Sequence, residues 1–310
     1  CDEFEARVVV CANPYALIHA QIARLLSRNA IVVIQVFHTT KLRTLKDSLM
    51  HVLYRPFFWM CHQLIFVCET QRRYWKQRAL WARRTQVIYN GVDTAHFNPS
   101  DFRDSGVAVR DDLGFTRGDR VVGMCGVMRP EKAHANLLTA VARCRAEGRR
   151  WKVLIIGDGP MRDQIEALIL QQDLTRDVRI VGMQSDVRKW LAACDVVALV
   201  STAVETFSVA ALEAMAMGKP MIMSKVGGAA EQIQHGISGM LFDAQDIDAL
   251  ADCLNHMWSK EECGRMGANA RERVHREFSD HTMADRYVAM LEGVIREKFT
   301  QDHPSARAAG

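Results

Sequence analysis

Short apolar runs rich in β-branched residues alternate along the chain with longer segments of helical periodicity. The short runs predict strands over residues 8–12, 31–37, 64–68, 121–125, 151–156, 178–181, 195–200 and 221–223. The longer segments predict helices over residues 15–26, 135–147, 161–172, 186–193, 246–258, 260–278 and 281–299, the fourth of them capped by Ser185. This alternation is typical of an α/β fold with parallel sheets, in which ligands bind beyond the carboxyl ends of the strands.

The β-α alternation is interrupted by a polar stretch that runs through Ser105 and Gly106. A chain of 310 residues fits one large domain or two of ordinary size. We therefore predict a first domain over residues 1–105 and a second over 106–280. Residues 281–299 predict a final helix, and residues 300–310, which lack an apolar pattern, predict a disordered tail.

Composition narrows the class of protein. No apolar run reaches the ~18 residues of a membrane span, and no secretory signal is recognisable. The nine cysteines are scattered without a Cys-x-x-Cys pair, which favours free thiols in a reducing cytoplasm over a disulfide or zinc framework. The net charge is +4, but residues 1–105 hold 14 Lys/Arg against 8 Asp/Glu, so the front part is the half more suited to an anionic surface.

Two basic stretches in this front part leave alternatives open. Residues 41–60 mix lysine and arginine with Leu, Met and aromatic residues, which predicts either a helix lying on an anionic lipid surface or an ordinary amphipathic helix packed on the sheet and broken at Pro56. The basic segment over residues 72–84 is interpreted as a solvated face. It accompanies no recognised nucleic-acid motif, so no nucleic-acid partner is predicted.

The stretch from Glu205 to Pro220 predicts an anion site. Ser208 is placed to cap a helix that ends at Met217, with Gly218 as the stop signal. The first turn of such a helix offers unpaired N–H groups and the positive end of the helix dipole, which suit a phosphate. Glu213 follows about 7 Å further along the axis, at ~1.5 Å per residue, where it can bind a sugar hydroxyl attached to that anion.

A second loop, from Gly126 to Lys132, follows the predicted strand over residues 121–125. Its glycine allows close approach of the backbone, and Arg129 and Lys132 supply charge-assisted bonds, so the loop suits a diphosphate. Glu231 lies in the turn after the strand over residues 221–223. It is interpreted as a solvent-exposed helix cap and not as a site residue. No Asp-x-Asp motif is present, and no metal is predicted.

Together these motifs resemble the GT4-type retaining glycosyltransferases. Residues 205–220 resemble the family's E-x7-E signature, residues 87–99 its V-I-x-N-G-V-D linker, and residues 126–133 its G-x-x-x-P-E-K-G loop. Two positions depart from the last pattern: Val127 stands where the family often has arginine, and Ala133 replaces a common glycine. The resemblance implies an α/β fold of the GT-B type, with two Rossmann-like domains around a nucleotide-sugar and a last helix that crosses back to the first domain.

The resemblance also implies a role for each matching residue. Lys132, Arg129, the backbone of Gly126 and the helix start at Phe207, Ser208 and Val209 would stabilise the departing nucleoside diphosphate. Glu213 would hold the ribose, Glu205 the transferred sugar, and the backbone at Val181 would lie against the base. His38, after the second strand, would face the sugar from the first domain. Glu205, His38 and Lys132 are therefore the predicted catalytic residues.

Within that family the donor would be a UDP- or GDP-sugar, the acceptor a glycan or lipid-linked molecule, and no further cofactor would be needed. A cytoplasmic enzyme held peripherally at the inner face of the membrane is the corresponding expectation. Family members begin with about three β-α units that have no match here, which implies a truncated first domain. For that reason a catalytically idle nucleotide-binding or scaffold subunit remains the main alternative, and a phosphorylase- or epimerase-like enzyme a lesser one.

Overall fold

The fold contains two parallel sheets, each flanked by helices. The computed structural model describes residue 3 and residues 5–39, 45–203 and 205–300. The first sheet has four strands in the order of the chain, all parallel. Its elements are β1 (Val8–Cys11), α1 (Pro14–Leu26), β2 (Val32–Phe37), α2 (Leu45–Trp59), β3 (Gln63–Phe66), α3 (Glu69–Gln77) and β4 (Thr85–Val87).

The second sheet has six parallel strands. They are β5 (Arg120–Cys125), β6 (Trp151–Ile156), β7 (Val178–Ile180), β8 (Val196–Leu199), β9 (Met221–Ser224) and β10 (Gly239–Phe242). Their spatial order is β7-β6-β5-β8-β9-β10, so the chain winds outward in one direction from β5 and in the other from β8. The strand order reverses between the neighbouring strands β5 and β8, and doubly wound sheets bind their ligands at such a point.

Helices cover the second sheet and connect it to the first. They are α4 (Arg103–Asp112), α5 (His134–Ala146), α6 (Arg162–Gln171), α7 (Arg188–Ala193), α8 (Val209–Ala216), α9 (Ala229–Gln232), α10 (Ile247–His256), α11 (Lys260–Glu277) and α12 (Asp280–Thr300). Helix α12 contacts the first sheet's side of the molecule, since Arg84 forms an ion pair with Glu297 and the backbone N–H of Gly91 donates to the Met283 sulfur.

The predicted elements are present, with boundaries that shift by one to a few residues, and two local predictions are wrong. Helix α2 is not broken at Pro56 but runs through it to Trp59. The proline lies in the last turn, where the missing N–H costs only one bond close to the helix end. Ser185 does not cap α7, which begins at Arg188 with Val187 in the cap position and no side-chain cap bond. Asp186 holds the Arg188 N–H instead.

The exposed surface of the first sheet's helices is partly apolar. Helix α2 buries His51 and Phe58 but exposes Leu49, Val52, Leu53 and Trp59, each at more than half of its full area. In the part of the chain that the structure describes, no helix combines the length and the apolar character needed to cross a bilayer. The predicted basic positions 41–44 and the predicted tail over residues 301–310 lie outside the described residues.

Candidate functional site

The loop after β5 is held in place by glycines. Gly126 has a φ of +149° and donates its N–H to the Ile156 carbonyl, 3.0 Å away. Gly157, after β6, has a φ of +147°, and a Cβ at this position would lie 2.1 Å from the Gly126 carbonyl oxygen. Only glycine therefore allows these two loops to pack so closely. The result is a rigid support beneath the short 3₁₀ turn Pro130–Lys132.

The turn after Lys132 contains backbone strain. Ala133 adopts the left-handed conformation, with φ of 52° and ψ of 44°, before α5 begins. A residue with a Cβ pays about 1–2 kcal/mol for this conformation, which glycine adopts freely. Ala133, which stands where the family pattern has glycine, therefore has a strained backbone.

The start of α8 is where the sequence predicts an anion site. The Ser208 hydroxyl accepts a hydrogen bond from the Ala211 N–H at 3.3 Å. Gln232, fully buried, fixes the cap from behind, because its side chain bonds both the N–H and the carbonyl of Ser208 at 3.1 and 2.8 Å. Among the described residues, none accepts a hydrogen bond from the N–H groups of Val209 and Ala210. These two donors are available to a ligand at the positive end of the helix dipole.

A cleft of about 450 Å³ lies between the two sheets at these loops. Both halves of the protein contribute to its walls, which are lined by His38, Val67, Asn90, Cys125, Gly126, Val127, Arg129, Glu131, Lys132, Glu205, Thr206, Phe207 and Ala210. The walls are tied together at one point by a hydrogen bond from the Thr206 hydroxyl to the His38 carbonyl, at 3.0 Å. The fold thus brings together most of the residues that the sequence predicts.

The chemistry in the cleft centres on one ion pair. The Lys132 ammonium lies 2.6 Å from the Glu205 carboxylate, and the Ser201 hydroxyl donates to the same oxygen at 3.1 Å. The two charged side chains are 22% and 14% exposed, so they are partly withdrawn from water while still facing the cleft. An ion pair of this kind is ready to exchange partners when an anion arrives, because a phosphate offers the lysine a stronger acceptor.

Two further predicted residues line the cleft, and their side chains form no hydrogen bond or ion pair with the residues that the structure describes. The guanidinium of Arg129 is exposed and forms no hydrogen bond or ion pair within the described residues. The His38 ring is also exposed at the cleft, and burial of its surroundings lowers its pKa from the usual value. His38 is therefore mostly neutral near pH 7, which leaves one ring nitrogen to donate and one to accept.

Glu213, on α8, does not itself line the cleft but lies near Cys125, which does. Burial raises the pKa of its carboxyl group, and no described residue forms a hydrogen bond with it. Burial and then the neighbouring Glu213 charge raise the pKa of the Cys125 thiol to about 11, which places this carboxylate beside a cleft residue. Val181 is different: it follows β7, two strands away from β5, and does not line the cleft.

Glu231 has a role that the sequence does not indicate. The prediction of a solvent-exposed cap is wrong, because its carboxylate crosses to the first sheet and caps α3. It accepts hydrogen bonds from the N–H groups of Glu69 and Thr70 at 2.8 and 2.7 Å, from the Thr70 hydroxyl at 2.6 Å and from the Tyr89 hydroxyl at 3.0 Å. The Gly227–Gly228 turn before it packs closely on the loop before α8, since a Cβ at Gly228 would lie 2.7 Å from the Thr206 carbonyl oxygen.

Asn90 adds a second link between the two sides of the cleft. Its side-chain amide donates to the Phe207 carbonyl at 3.2 Å, and the Phe207 ring stacks on Tyr89 with centroids 5.0 Å apart. The linker that follows β4 therefore positions the loop before α8. Within the described ranges, no three histidine, cysteine or carboxylate side chains are grouped as around a metal ion.

Comparison with known proteins identifies the relatives of this arrangement. The model of the glycosyl transferases group 1 matches residues 108–273, and that of glycosyltransferase family 4 matches residues 1–96. N-acetyl-alpha-D-glucosaminyl L-malate synthase of Bacillus anthracis is 30% identical over 68% of this chain and 54% of its own length. A GDP-mannose-dependent monoacylated alpha-(1-6)-phosphatidylinositol monomannoside mannosyltransferase of Corynebacterium glutamicum is 28% identical over 67% and 56%. The chain thus spans about half the length of the curated relatives it matches.

The solved structures agree on the fold. HepE of Anabaena in complex with UDP superimposes with a TM-score of 0.83 at 24% identity, over 93% of this chain and 79% of HepE, and a complex of HepE with UDP-glucose gives 0.81. The two parallel sheets are those of the GT-B fold, as the sequence predicts. Because the group 1 model matches more than half of the 310 residues, this chain belongs to the glycosyl transferases group 1 family.

Proposed function

We propose that the cleft binds a nucleotide-sugar and that the whole protein transfers the sugar, with retention of configuration, to a glycan or lipid-linked acceptor. The observation that carries this proposal is the Lys132–Glu205 pair at the switch point of the second sheet, beside the unpaired N–H groups of α8. A cation and free helix-start donors suit a diphosphate, and a carboxylate next to them suits sugar hydroxyls.

Donor binding rearranges the ion pair in this proposal. The diphosphate takes the Lys132 ammonium, together with Arg129 and the N–H groups of Val209 and Ala210. Glu205 is then released from the lysine and accepts hydrogen bonds from the sugar. The Glu213 carboxyl group, which has no hydrogen-bond partner among the described residues, holds the ribose hydroxyls. Its pKa falls when these donors replace an apolar surrounding.

Transfer then depends on stabilising the leaving group. Negative charge grows on the diphosphate as its bond to the sugar breaks, and the positive groups are already aimed at that position, so they stabilise the transition state more than the ground state. His38 approaches the sugar from the first domain. The acceptor hydroxyl attacks from the face that the diphosphate leaves, which retains the anomeric configuration.

The names of the relatives limit the nucleobases that need to be tested. HepE is described with UDP and UDP-glucose, and the mannosyltransferase relative is named for GDP-mannose. UDP- and GDP-sugars are therefore the donors to test first. In this proposal the base extends beyond the residues that line the cleft, toward the backbone at Val181 after β7.

A thermal-shift panel with UDP, GDP and ADP tests the donor site. We expect one nucleotide to raise the melting temperature of the wild type, Glu213→Gln to keep part of the effect and Glu213→Ala to lose most of it. Glu292→Ala, which removes an exposed carboxylate from α12, is the control and should behave like the wild type. Absence of any shift with all three nucleotides would refute the donor site. Nucleotide binding without transfer from any donor would instead favour a scaffold role.

We also propose that α2 rests on an anionic membrane surface, where a lipid-linked acceptor is found. The exposed positions Leu49, Val52, Leu53 and Trp59 recur at helical spacing on one face. Co-sedimentation with anionic vesicles should fall when Leu53 and Trp59 are changed to serine together. Trp81→Ser, at a similarly exposed tryptophan outside α2, is the matched control. Equal sedimentation of all three proteins would remove the membrane contact from the account.

A further inference from the structure

A second cavity, larger than the cleft, lies at the amino ends of strands in the second sheet, on the side opposite the cleft. Its volume is about 650 Å³, and its walls come from the 3₁₀ turn Pro99–Phe102, α4, the end of α7, the start of β9 and α11. Since Lys219 and Arg117 precede strands β9 and β5, the cavity faces the amino ends of strands whose carboxyl ends form the donor cleft. A six-residue strand is ~20 Å long, so the two sites are separate.

The lining of this cavity is strongly basic. Arg103, Arg110, Arg117, Lys219 and Arg271 line it, against two carboxylates, those of Asp104 and Asp111. Arg110 is already engaged, since it bonds the Ala193 carbonyl at 2.7 Å and the Asp195 carboxylate at 3.0 Å. It therefore forms a fixed part of the wall, and the remaining cations decide what the cavity can bind.

Three of these cations retain donors for a ligand. The guanidinium groups of Arg103 and Arg117 form no hydrogen bond or ion pair with any described residue. Arg271 bonds the Asn98 side chain through one terminal nitrogen at 3.1 Å, but its buried Nε has no hydrogen-bond partner in the described part of the chain. A buried guanidinium N–H without an acceptor is costly, and a bound anion would remove that cost.

Lys219 adds a fourth donor at the inner end. Its ammonium group is held by the carbonyls of Ala192 and Cys194, at 3.0 and 2.8 Å, so one of its three N–H bonds remains. Burial lowers the pKa of Lys219, because the surrounding protein replaces the water that would solvate the charge. A dianion in the cavity would oppose this effect.

We propose that this cavity binds a phosphate monoester dianion, with Arg117 and Arg271 as its principal ligands and Lys219 at its base. Arginine forks match the oxygens of a phosphate in pairs, which distinguishes this lining from a diffuse basic surface. The volume accommodates a small molecule larger than the phosphate itself, within the range of ordinary ligand pockets. The proposal is independent of the donor cleft, because no lining residue is shared.

Isothermal titration with inorganic phosphate and with glycerol 3-phosphate tests the site. It is carried out on the wild type, Arg117→Gln, Arg271→Gln and the donor-cleft variant Lys132→Ala. Arg117 is exposed, so its variant tests the site even if Arg271→Gln folds poorly. Arg176→Gln is the matched control. It removes an exposed guanidinium from the same domain that forms no hydrogen bond or ion pair with the described residues.

We expect both probes to bind the wild type, Lys132→Ala and Arg176→Gln with similar affinity, and to bind Arg117→Gln and Arg271→Gln at least about tenfold more weakly, as for loss of one charged hydrogen bond. Binding that is lost in Lys132→Ala but kept in both cavity variants would overturn the proposal. So would the absence of binding to either soluble probe together with the absence of Arg117-dependent binding to vesicles that contain phosphatidic acid. The phosphate monoester could be a soluble molecule or a lipid headgroup. Binding to vesicles that contain phosphatidic acid, compared with vesicles that contain phosphatidylglycerol, distinguishes these two sources. Arg117-dependent binding to the phosphatidic acid vesicles without binding of soluble probes would identify a lipid headgroup as the monoester.

Discussion

The link that Glu231 forms between the two sheets gives a quantitative prediction. Its carboxylate accepts two backbone N–H groups at the start of α3 and two hydroxyl groups, all within 3.0 Å. Glu231→Ala removes every one of these acceptors. The Cys68 sulfur, which accepts only from the Gln71 N–H at 3.3 Å, is too weak a cap to replace them.

The size of the effect follows from the bonds that are lost. A hydrogen bond to a charged group contributes about 1.5–3 kcal/mol, and loss of a helix cap costs about 0.5–2 kcal/mol. The four bonds share one carboxylate and are not additive, and water can reach part of the site. We therefore expect Glu231→Ala to lower the free energy of unfolding by about 3 kcal/mol in total. Glu231→Gln keeps one acceptor oxygen without the charge and should lose about half of that.

Hydrogen exchange measured by mass spectrometry detects the loss of these hydrogen bonds at the start of α3. The amides of Glu69 and Thr70 should exchange about 10- to 100-fold faster in Glu231→Ala, because each loses its charged acceptor. Amides of α6, far from the link, should be unchanged. Glu272→Ala, which removes an exposed carboxylate from α11, is the control. Unchanged exchange at residues 69–70, or an equal increase in the control, would refute the reasoning.

Three further predictions concern the loop after β5. Ala133→Gly should raise the free energy of unfolding by about 0.5–1 kcal/mol in urea denaturation, because glycine relieves the left-handed strain at a smaller cost in chain entropy; a loss of stability would contradict this. Burial and then the Lys132 charge lower the pKa of His134 to about 4, so the unfolded chain takes up this proton near pH 6.5 and the folded one only near pH 4. The free energy of unfolding should therefore fall by about 2 kcal/mol from pH 7 to pH 5, and His134→Leu should remove that part of the decline. The same pH dependence of stability in the wild type and in His134→Leu would contradict this prediction. Gly157→Ala should weaken nucleotide binding at least about tenfold in titrations, because its Cβ would displace the Gly126 carbonyl; normal affinity in a folded variant would count against the loop as a ligand site.

The sequence predicts the two parallel sheets well because their strands are buried on both faces. β2, β3, β8 and β9 are fully buried. All of β8 and all but one position of each of the other three strands are apolar, so a window of a few residues recognises them. The Ser208 cap is equally local, since its acceptor and donor are three residues apart. The fold class and the predicted anion site at α8 both depend on patterns of this kind.

The interactions that the sequence does not predict are those between distant segments. Glu231 is 161 residues from Thr70, and nothing near either residue indicates that one caps the other's helix. The Lys132–Glu205 pair is similar: each residue is recognisable in its own motif, but their 2.6 Å contact depends on strands β5 and β8 being neighbours. The basic cavity is hidden for the same reason, since its cations come from four separate segments.

Errors in helix boundaries have a different cause. Pro56 is a strong local signal against a helix, but the lost bond falls in the last turn of α2, where packing of Phe58 against Phe37 outweighs it. Ser185 has the right chemistry for a cap but stands too far before α7. Asp186 and Arg188 instead form a local pair, which holds the pKa of Asp186 near 2. Side-chain pairing thus determines where this helix begins.

The direct test of the donor site is the difference in affinity between nucleoside diphosphates and monophosphates. Titrations of UDP against UMP and of GDP against GMP are compared in the wild type, in Lys132→Met and in Lys225→Met, which removes an exposed lysine paired with Asp243. For the preferred base, we predict that the diphosphate binds the wild type and Lys225→Met at least about tenfold more tightly than the monophosphate, and that Lys132→Met loses most of this difference. Equal affinity for both nucleotides in the wild type, or a difference that survives in Lys132→Met, would contradict the assignment of this cleft to a nucleotide-sugar.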